Sequence, residues 1–145
     1  MDLPVIGWRE WLSLPALGIP KIKAKIDTGA RSSSLHAFDI ERGRAEGRDR
    51  VVFRTDPLQR GDGPGHSCTA ELLDQRSVRS SNGQTEERYV IRTLAKLQGI
   101  EWPIELTLTD RSDMSFRMLL GREAIRDRFL VDPGHSFFDE TQAAR

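Results

Sequence analysis

From Lys21 to Ile26, polar and apolar residues alternate so that Ile22, Ala24 and Ile26 fall on one face, which predicts a half-buried strand. The same period marks Ile100 to Thr109, where Ile104, Leu106 and Leu108 alternate with Glu105, Thr107 and Thr109. A weaker alternation from Leu35 to Ile40, ending in the charged stretch Glu41 to Arg50, predicts another strand, as do short apolar runs at Val51 to Arg54 and Phe116 to Leu120. Val5 to Leu12 reads as a short strand ahead of a turn punctuated by Pro15, Gly18 and Pro20. Order resumes at Glu71 to Leu73 after a loop from Asp56 to Gly65. Ser77 to Arg79 then approaches a turn at Ser80-Ser81-Asn82-Gly83, and Glu87 to Leu97 is the partner strand, because Asn-Gly between extended segments favours a tight hairpin. Further turns fall at Gln98-Gly99, Asp110 to Asp113 and Asp132-Pro133-Gly134. The helical signal is Arg122 to Arg128, about two turns with Ala124 and Ile125 inward. The polar tail from Glu140 is expected to fray. Many short strands, frequent turns and one late helix predict a mostly-β barrel or sandwich.

Length and composition narrow this picture. With 145 residues the chain can bury a real core as one domain, 1–145, with the core at about residues 5–136, and two lobes do not fit. Hydrophobic residues at 37% and charged residues at 30% describe an ordinary water-soluble composition rather than a disordered or membrane one. The 22 basic and 22 acidic residues cancel, leaving no electrostatic footprint for nucleic acid. No run approaches the ~18 apolar residues of a membrane span. Cys68, the single cysteine, cannot form an internal disulfide, and no basic and apolar leader stands near the N-terminus, so a cytoplasmic location is expected.

Chemistry enters at Lys25-Ile26-Asp27-Thr28-Gly29-Ala30, where the predicted strand delivers a carboxylate onto a tight turn. Gly29 frees the backbone to bend directly after the acid, and the Thr28 hydroxyl can bond to a neighbouring backbone group. An acid beside a glycine is also an ordinary surface turn. A second signal lies far away in sequence, at Met118-Leu119-Leu120-Gly121-Arg122 ahead of the short helix.

Asp-Thr-Gly-Ala after an apolar strand is similar to the active-site loop of aspartic peptidases, and the two signals together resemble the retropepsins, one-lobe aspartic peptidases that act as homodimers. Within that fold, Ala24 to Arg31, Ile104 to Arg111 and Phe116 to Arg122 look most like a bacterial family labelled ATP-dependent zinc proteases, a likeness running from Val5 to Ser136. The resemblance implies a closed retropepsin-like (acid protease) β-barrel with one short C-terminal helix and the acid loop at a two-fold axis. It implies that Asp27 is the dyad acid, that Thr28 braces the two loops, and that Gly29, with Ala30 and Arg31 beside it, contacts substrate. Leu120, Gly121 and Arg122 would support the loop from behind, and a mobile hairpin would cover the substrate. Retroviral members carry an acid after D-T-G-A that pairs with the late arginine. Here Arg31 stands there and cannot pair with Arg122, so the subsites beside the acid must be built differently.

Hydrolysis by this route needs two carboxylates sharing one proton. One D-T-G per chain points to a second copy of the chain as partner, acting on a peptide or protein substrate. Asp110 is the alternative second acid within one chain, or a solvated turn residue. Ser80, Ser81, Asn82 and Gly83 are the favoured flap, with Gly61 to Gly65 the other choice. His36 either lines the site or is structural, and Trp8, Trp11 and Trp102 either pack or stack on substrate.

The family label asserts zinc and ATP, yet His36, His66 and His135 are scattered. Cys68 lies two residues from His66, and neither H-E-x-x-H, C-x-x-C nor a phosphate-binding G-x-x-x-x-G-K-[ST] occurs. No metal and no cofactor are therefore expected. Any ATP dependence would come from a partner, since relatives are sometimes joined to ATP-grasp ligases. The competing readings are a non-catalytic peptide-binding module or partner of an ATP-grasp amino-acid ligase, and a zinc-dependent protease.

Overall fold

A computed structural model describes residues 2–58, 65–79, 82–111 and 115–138. Among the described residues, eleven strands, a 3-10 turn at Pro15–Leu17 and one α-helical turn follow in chain order: β1 (Val5–Gly7), β2 (Arg9–Leu14), β3 (Ile19–Asp27), β4 (Ser33–His36), β5 (Phe38–Ala45), β6 (Arg48–Thr55), β7 (His66–Arg79), β8 (Thr85–Leu97), β9 (Ile100–Thr109), β10 (Met118–Gly121), α1 (Arg122–Ile125) and β11 (Leu130–Asp132). Nine of the strands form one sheet in the order β2-β3-β10-β4-β9-β8-β7-β6-β5. A further pairing of Ser13 with Lys96 joins β2 to β8, so β2, β3, β10, β4, β9 and β8 form a ring.

The alternating positions fill that ring. Ile22, Ala24 and Ile26 of β3 are buried, as are Ile104, Leu106 and Leu108 of β9 and Met118 and Leu120 of β10. Burying one such side chain contributes about 1.5–3 kcal/mol, which is why period-two strands close around a common interior. Thr107 and Thr109 are buried too, because β9 is covered on both faces near its end, where the Thr107 hydroxyl donates to the Ser33 carbonyl.

β10 inserts between β3 and β4, parallel to β3 and antiparallel to β4, although about ninety residues separate it from them in sequence. This long-range insertion brings the two ends of the chain together. β1 and β11 form a separate parallel pair. Inside β2, Glu10 shares the inward face with Leu12 and Leu14 and is fully buried, its carboxylate accepting from the N–H groups of Gly7 at 2.7 Å and Phe138 at 3.0 Å.

The structure corrects several expectations. The helix is a single turn rather than two, because Arg126 turns extended and Asp127 adopts φ +64°. The Val5 to Leu12 strand is two strands broken at Trp8, whose N–H and C=O bond to His135 and Ile26 instead of a continuous ladder. The charged stretch from Glu41 is a hairpin, β5 and β6, turned by Glu46 and Gly47, both at positive φ. β7 begins at His66, before the expected restart at Glu71. The strand expected over Leu35 to Ile40 is divided at Ala37, whose N–H bonds to the Thr109 carbonyl.

Candidate active site

β3 ends at Asp27, and the turn closes immediately. The Ala30 N–H donates to the Asp27 carbonyl at 3.1 Å, and the Gly29 N–H donates to Asp27 Oδ1 at 3.2 Å. The carboxylate is therefore drawn back over its own loop, half-buried, while Thr28 and Gly29 are exposed at the tip. Such a turn directly after a strand presents an acid at a rigid sheet end rather than on a free loop.

The loop is held from behind by β10. Leu120 lies beside Ile26, and Gly121 lies beside Asp27. From Gly121 onward the backbone stitches itself to the loop's returning limb. The Gly121 N–H donates to Ser33 Oγ at 3.0 Å, that of Arg122 to the Ala30 carbonyl at 2.8 Å, and that of Glu123 to the Arg31 carbonyl at 3.2 Å. A side chain at Gly121 is sterically impossible without movement, since a Cβ would lie 2.5 Å from the Ser32 carbonyl oxygen. The Arg122 guanidinium reaches the Gly29 carbonyl at 3.3 Å, and exposed Arg31 sits 3.8 Å from Glu123. The structure thus gathers Asp27 to Arg31 and Leu120 to Arg122 into one unit. With no acid after D-T-G-A, the two arginines find separate partners.

A cleft of about 760 Å³ opens on the Arg31 side of this loop. Such a volume lies within the range that holds sizeable ligands. Its wall includes Arg31, Ser32 and Ser33 from the loop, Arg76 to Arg79 from β7, and the carboxylates Glu123 beside Arg31 and Glu105 beside Arg76. β7 and β8 form a hairpin whose outer part, Gln75 to Arg79 against Thr85 to Tyr89, pairs with no third strand among the described residues. A bulge at Leu73 bends it. Glu105 is paired across the sheet with Arg92, yet its carboxylate meets the Arg76 guanidinium at 3.2 Å, so the hairpin must fold over the face of β9. Arg76 also bonds to Asp74, and with the Gln75 N–H it holds the Asp74 carboxyl below its usual range.

Of the favoured flap residues, Asn82 and Gly83 lie exposed at the tip of this hairpin, with Gly83 at φ +85°, while Ser80 and Ser81 lie outside the described residues. The alternative flap falls outside them as well except for Gly65, which adjoins Phe38 and Thr55. The next residue, His66, bonds to the Leu17 carbonyl ahead of β3, at the strand end opposite Asp27. The cleft-facing arginines of β7 escaped the sequence reading. Their signal was there in Arg76-Ser77-Val78-Arg79 directly before the hairpin turn.

Other candidates are placed elsewhere. Ser33 at the start of β4 lies beside Leu106, so Asp110, four residues further on and just past the end of β9, is about 13 Å from that end at strand rise, too far to join Asp27. His36 is buried at the far end of β4, where its Nδ1 accepts from the Arg111 N–H, and it does not line the acid loop. His66 Nε2 and Cys68 Sγ both meet the Leu17 carbonyl, at 3.0 and 3.7 Å. Among the described residues no three His, Cys, Asp or Glu side chains are grouped as a metal would need. Trp102 is buried against Phe129 and donates to the Ala124 carbonyl. Trp8 and Trp11 are half-buried against Phe116 and Phe137.

A one-lobe mostly-β fold with an Asp-Thr-Gly-Ala loop backed by a Leu-Gly-Arg strand end defines a class of retropepsin-like proteins. Residues 5–142 match the model of the RimB-like family, described as retropepsin-like aspartic endopeptidase RimB, and the chain belongs to that family. It is 47% identical over 133 residues to a protein of Shewanella pealeana named "Probable alpha-L-glutamate ligase", and 49% identical over 129 residues to one of the same name from Parasynechococcus marenigrum. These matches cover 92% and 89% of this chain but only 29% and 28% of those proteins, so the chain spans under a third of the relatives it matches. A crystal structure of a protein of unknown function (DUF785) from Legionella pneumophila superposes with a TM-score of 0.80 at 30% identity, over 94% of this chain and 98% of that one.

Proposed function

We propose that the chain is one subunit of a homodimeric aspartic peptidase in which Asp27 from each of two copies shares a proton and activates one water against a peptide bond. One carboxylate takes the water's proton while its protonated twin donates to the carbonyl oxygen, and the roles exchange as the intermediate collapses. Two like charges held together cannot both ionise cheaply, so the pair titrates in separated steps. The observation that carries this reading is the backbone clamp from Gly121 to Glu123, which fixes Asp27 at the sheet end with its loop tip outward. In this reading the single domain builds a retropepsin-like barrel. Thr28 braces the paired loops, and Gly29, Ala30 and Arg31 contact substrate. The β7–β8 hairpin, with Ser80 to Gly83 at its tip, closes as the flap, and no metal or cofactor takes part. The compartment is the cytoplasm, where Cys68 stays reduced.

The substrate class follows from the cleft and the relatives together. Proteins named for ligating glutamate contain a segment similar to this chain. The cleft is lined by Arg31, Arg76 and Arg79, of which Arg31 lies against Glu123 and Arg76 against Asp74 and Glu105, and guanidinium forks that exchange such exposed pairs bind an incoming carboxylate through parallel hydrogen bonds. A glutamate-rich, α-linked peptide fits both. The test is hydrolysis of an oligo-α-glutamate by the purified protein, lost in Asp27→Asn and unaffected by a metal chelator. The relatives' name also favours a second reading, a non-catalytic module that holds glutamyl chains for a ligase. It predicts binding without hydrolysis in the parent protein and unchanged binding in Asp27→Asn.

A further inference from the structure

Of the chain's four lysines, three occur at alternate positions of one strand, Lys21, Lys23 and Lys25 of β3. Because alternate residues share a face, the three ammonium groups stand on the outside of the ring in a row, about 6.6–6.8 Å apart at strand rise. Lys25 is paired across the sheet with Arg9 of β2, and Lys23 with Trp11. The row is built rather than incidental. Lys21 Nζ lies 4.4 Å from the Trp11 ring centre, and Lys23 Nζ lies 5.4 Å from that of Phe116. Half-buried aromatic faces hold cations in place and reduce the rotamer freedom lost on binding a ligand.

Among the described residues, none of Arg9, Lys21, Lys23 or Lys25 makes an ion pair, whereas arginines elsewhere on the surface are paired with acids. Four like charges gathered on a chain with no net charge repel one another, and an anionic ligand relieves that repulsion. The row also has a direction. β3 ends at Asp27, only two residues past Lys25, about 7 Å at strand rise. An extended polypeptide places alternate side chains at the same spacing as the lysines.

We propose that the Lys21, Lys23 and Lys25 row, flanked by Arg9, is an exosite that binds the distal part of an extended acidic polypeptide whose reactive bond lies at Asp27. This rests on the peptidase reading for its orientation, not for its binding. The exosite makes affinity depend on chain length, since a short acidic peptide fills the cleft alone and a long one also reaches the row.

The experiment measures binding of a short and a long oligo-α-glutamate to the Asp27→Asn protein, so that cleavage cannot interfere. The same measurement is made on that protein carrying Lys21→Gln, Lys23→Gln and Lys25→Gln together. The long peptide should lose about tenfold in affinity, as three exposed ion pairs imply, with the short peptide unchanged. A triple lysine-to-arginine variant should bind as the parent does. Equal loss for both lengths, or no loss for either, overturns the exosite. So does row-dependent binding of single-stranded RNA with no binding of oligoglutamate, which would make this face a nucleic-acid surface. Row-dependent binding in a protein whose Asp27 form never hydrolyses the peptide upholds the exosite and removes the peptidase reading.

Discussion

The guanidinium of Arg122 donates to the carbonyl of Gly29 at 3.3 Å, so the residue following β10 reaches across the loop that carries Asp27. The contact is exposed, and an exposed charged group contributes at most about 1 kcal/mol to stability. Its effect should lie in positioning. Arg122→Ala should melt close to the parent yet lose about tenfold in kcat with KM little changed, since loop placement governs the attack geometry. Arg122→Lys should recover part of the loss. Steady-state kinetics beside thermal melts check this, and a parallel fall in stability and activity would argue for a structural role alone.

Gly121 should tolerate no side chain. In Gly121→Ala the new Cβ would meet the Ser32 carbonyl oxygen at 2.5 Å and that of Ala30 at 3.0 Å, both backbone atoms of the loop. Relief requires β10 and the loop to part, at a cost of about 1–3 kcal/mol typical of overpacking. Urea unfolding should show the lower midpoint, and any hydrolytic activity should fall further than stability does.

Glu10 carries a fully buried carboxyl group. Its Oε2 accepts two backbone N–H groups, one from Gly7 at the end of β1 and one from Phe138. Glu10→Ala strands both donors and leaves a void, so it should cost about 2–5 kcal/mol, since each unsatisfied buried donor costs about 1–3 kcal/mol and the void adds to it. Glu10→Gln, which keeps the shape and one acceptor oxygen, should cost less. Denaturant melts rank the variants, and an Ala variant as stable as the Gln variant would contradict the bond assignment.

Cys68 supplies a prediction in pH. Burial pushes its thiol up to about 11, so far less thiolate is present in the folded chain than in the unfolded one at any pH below that value. A rise of this size lowers the thiolate fraction about a hundredfold at neutral pH, so alkylation should be at least that much slower folded than unfolded. The unfolded chain ionises first as pH rises. This group therefore leaves stability untouched at neutral pH and erodes it between the ordinary thiol value of 9.0 and about 11. Thiol-reagent kinetics with and without denaturant measure the effect, and rapid labelling of the native protein would contradict the burial.

What the sequence made legible was whatever one face of a strand had to hide. β3 and β9 announced themselves because Ile22, Ala24, Ile26, Ile104, Leu106 and Leu108 all point into the ring. The β5–β6 hairpin did not, because its tip is exposed on both sides and carries no alternation, leaving Glu46-Gly47 as its one local cue. Glu10 was hidden for the opposite reason. Its period places it with Leu12 and Leu14, but a lone carboxylate reads as solvent-facing until its backbone donors are known. At the candidate site, the acid loop and the Gly-Arg strand end were readable as short words. The Arg76 and Arg79 wall was not, because a bulge at Leu73 and the folding of the hairpin over β9 bring it there.

The proposed hydrolysis needs two copies contributing one Asp27 each, and subunit mixing measures that directly. Parent and Asp27→Asn proteins are mixed in equal amounts, exchanged until the subunits are random, and assayed on oligo-α-glutamate. If each active centre needs both carboxylates, only parent-parent pairs work and activity falls to about one quarter of that of the same total amount of parent protein. A fall to about one half would mean that each chain works alone, and would contradict the shared dyad.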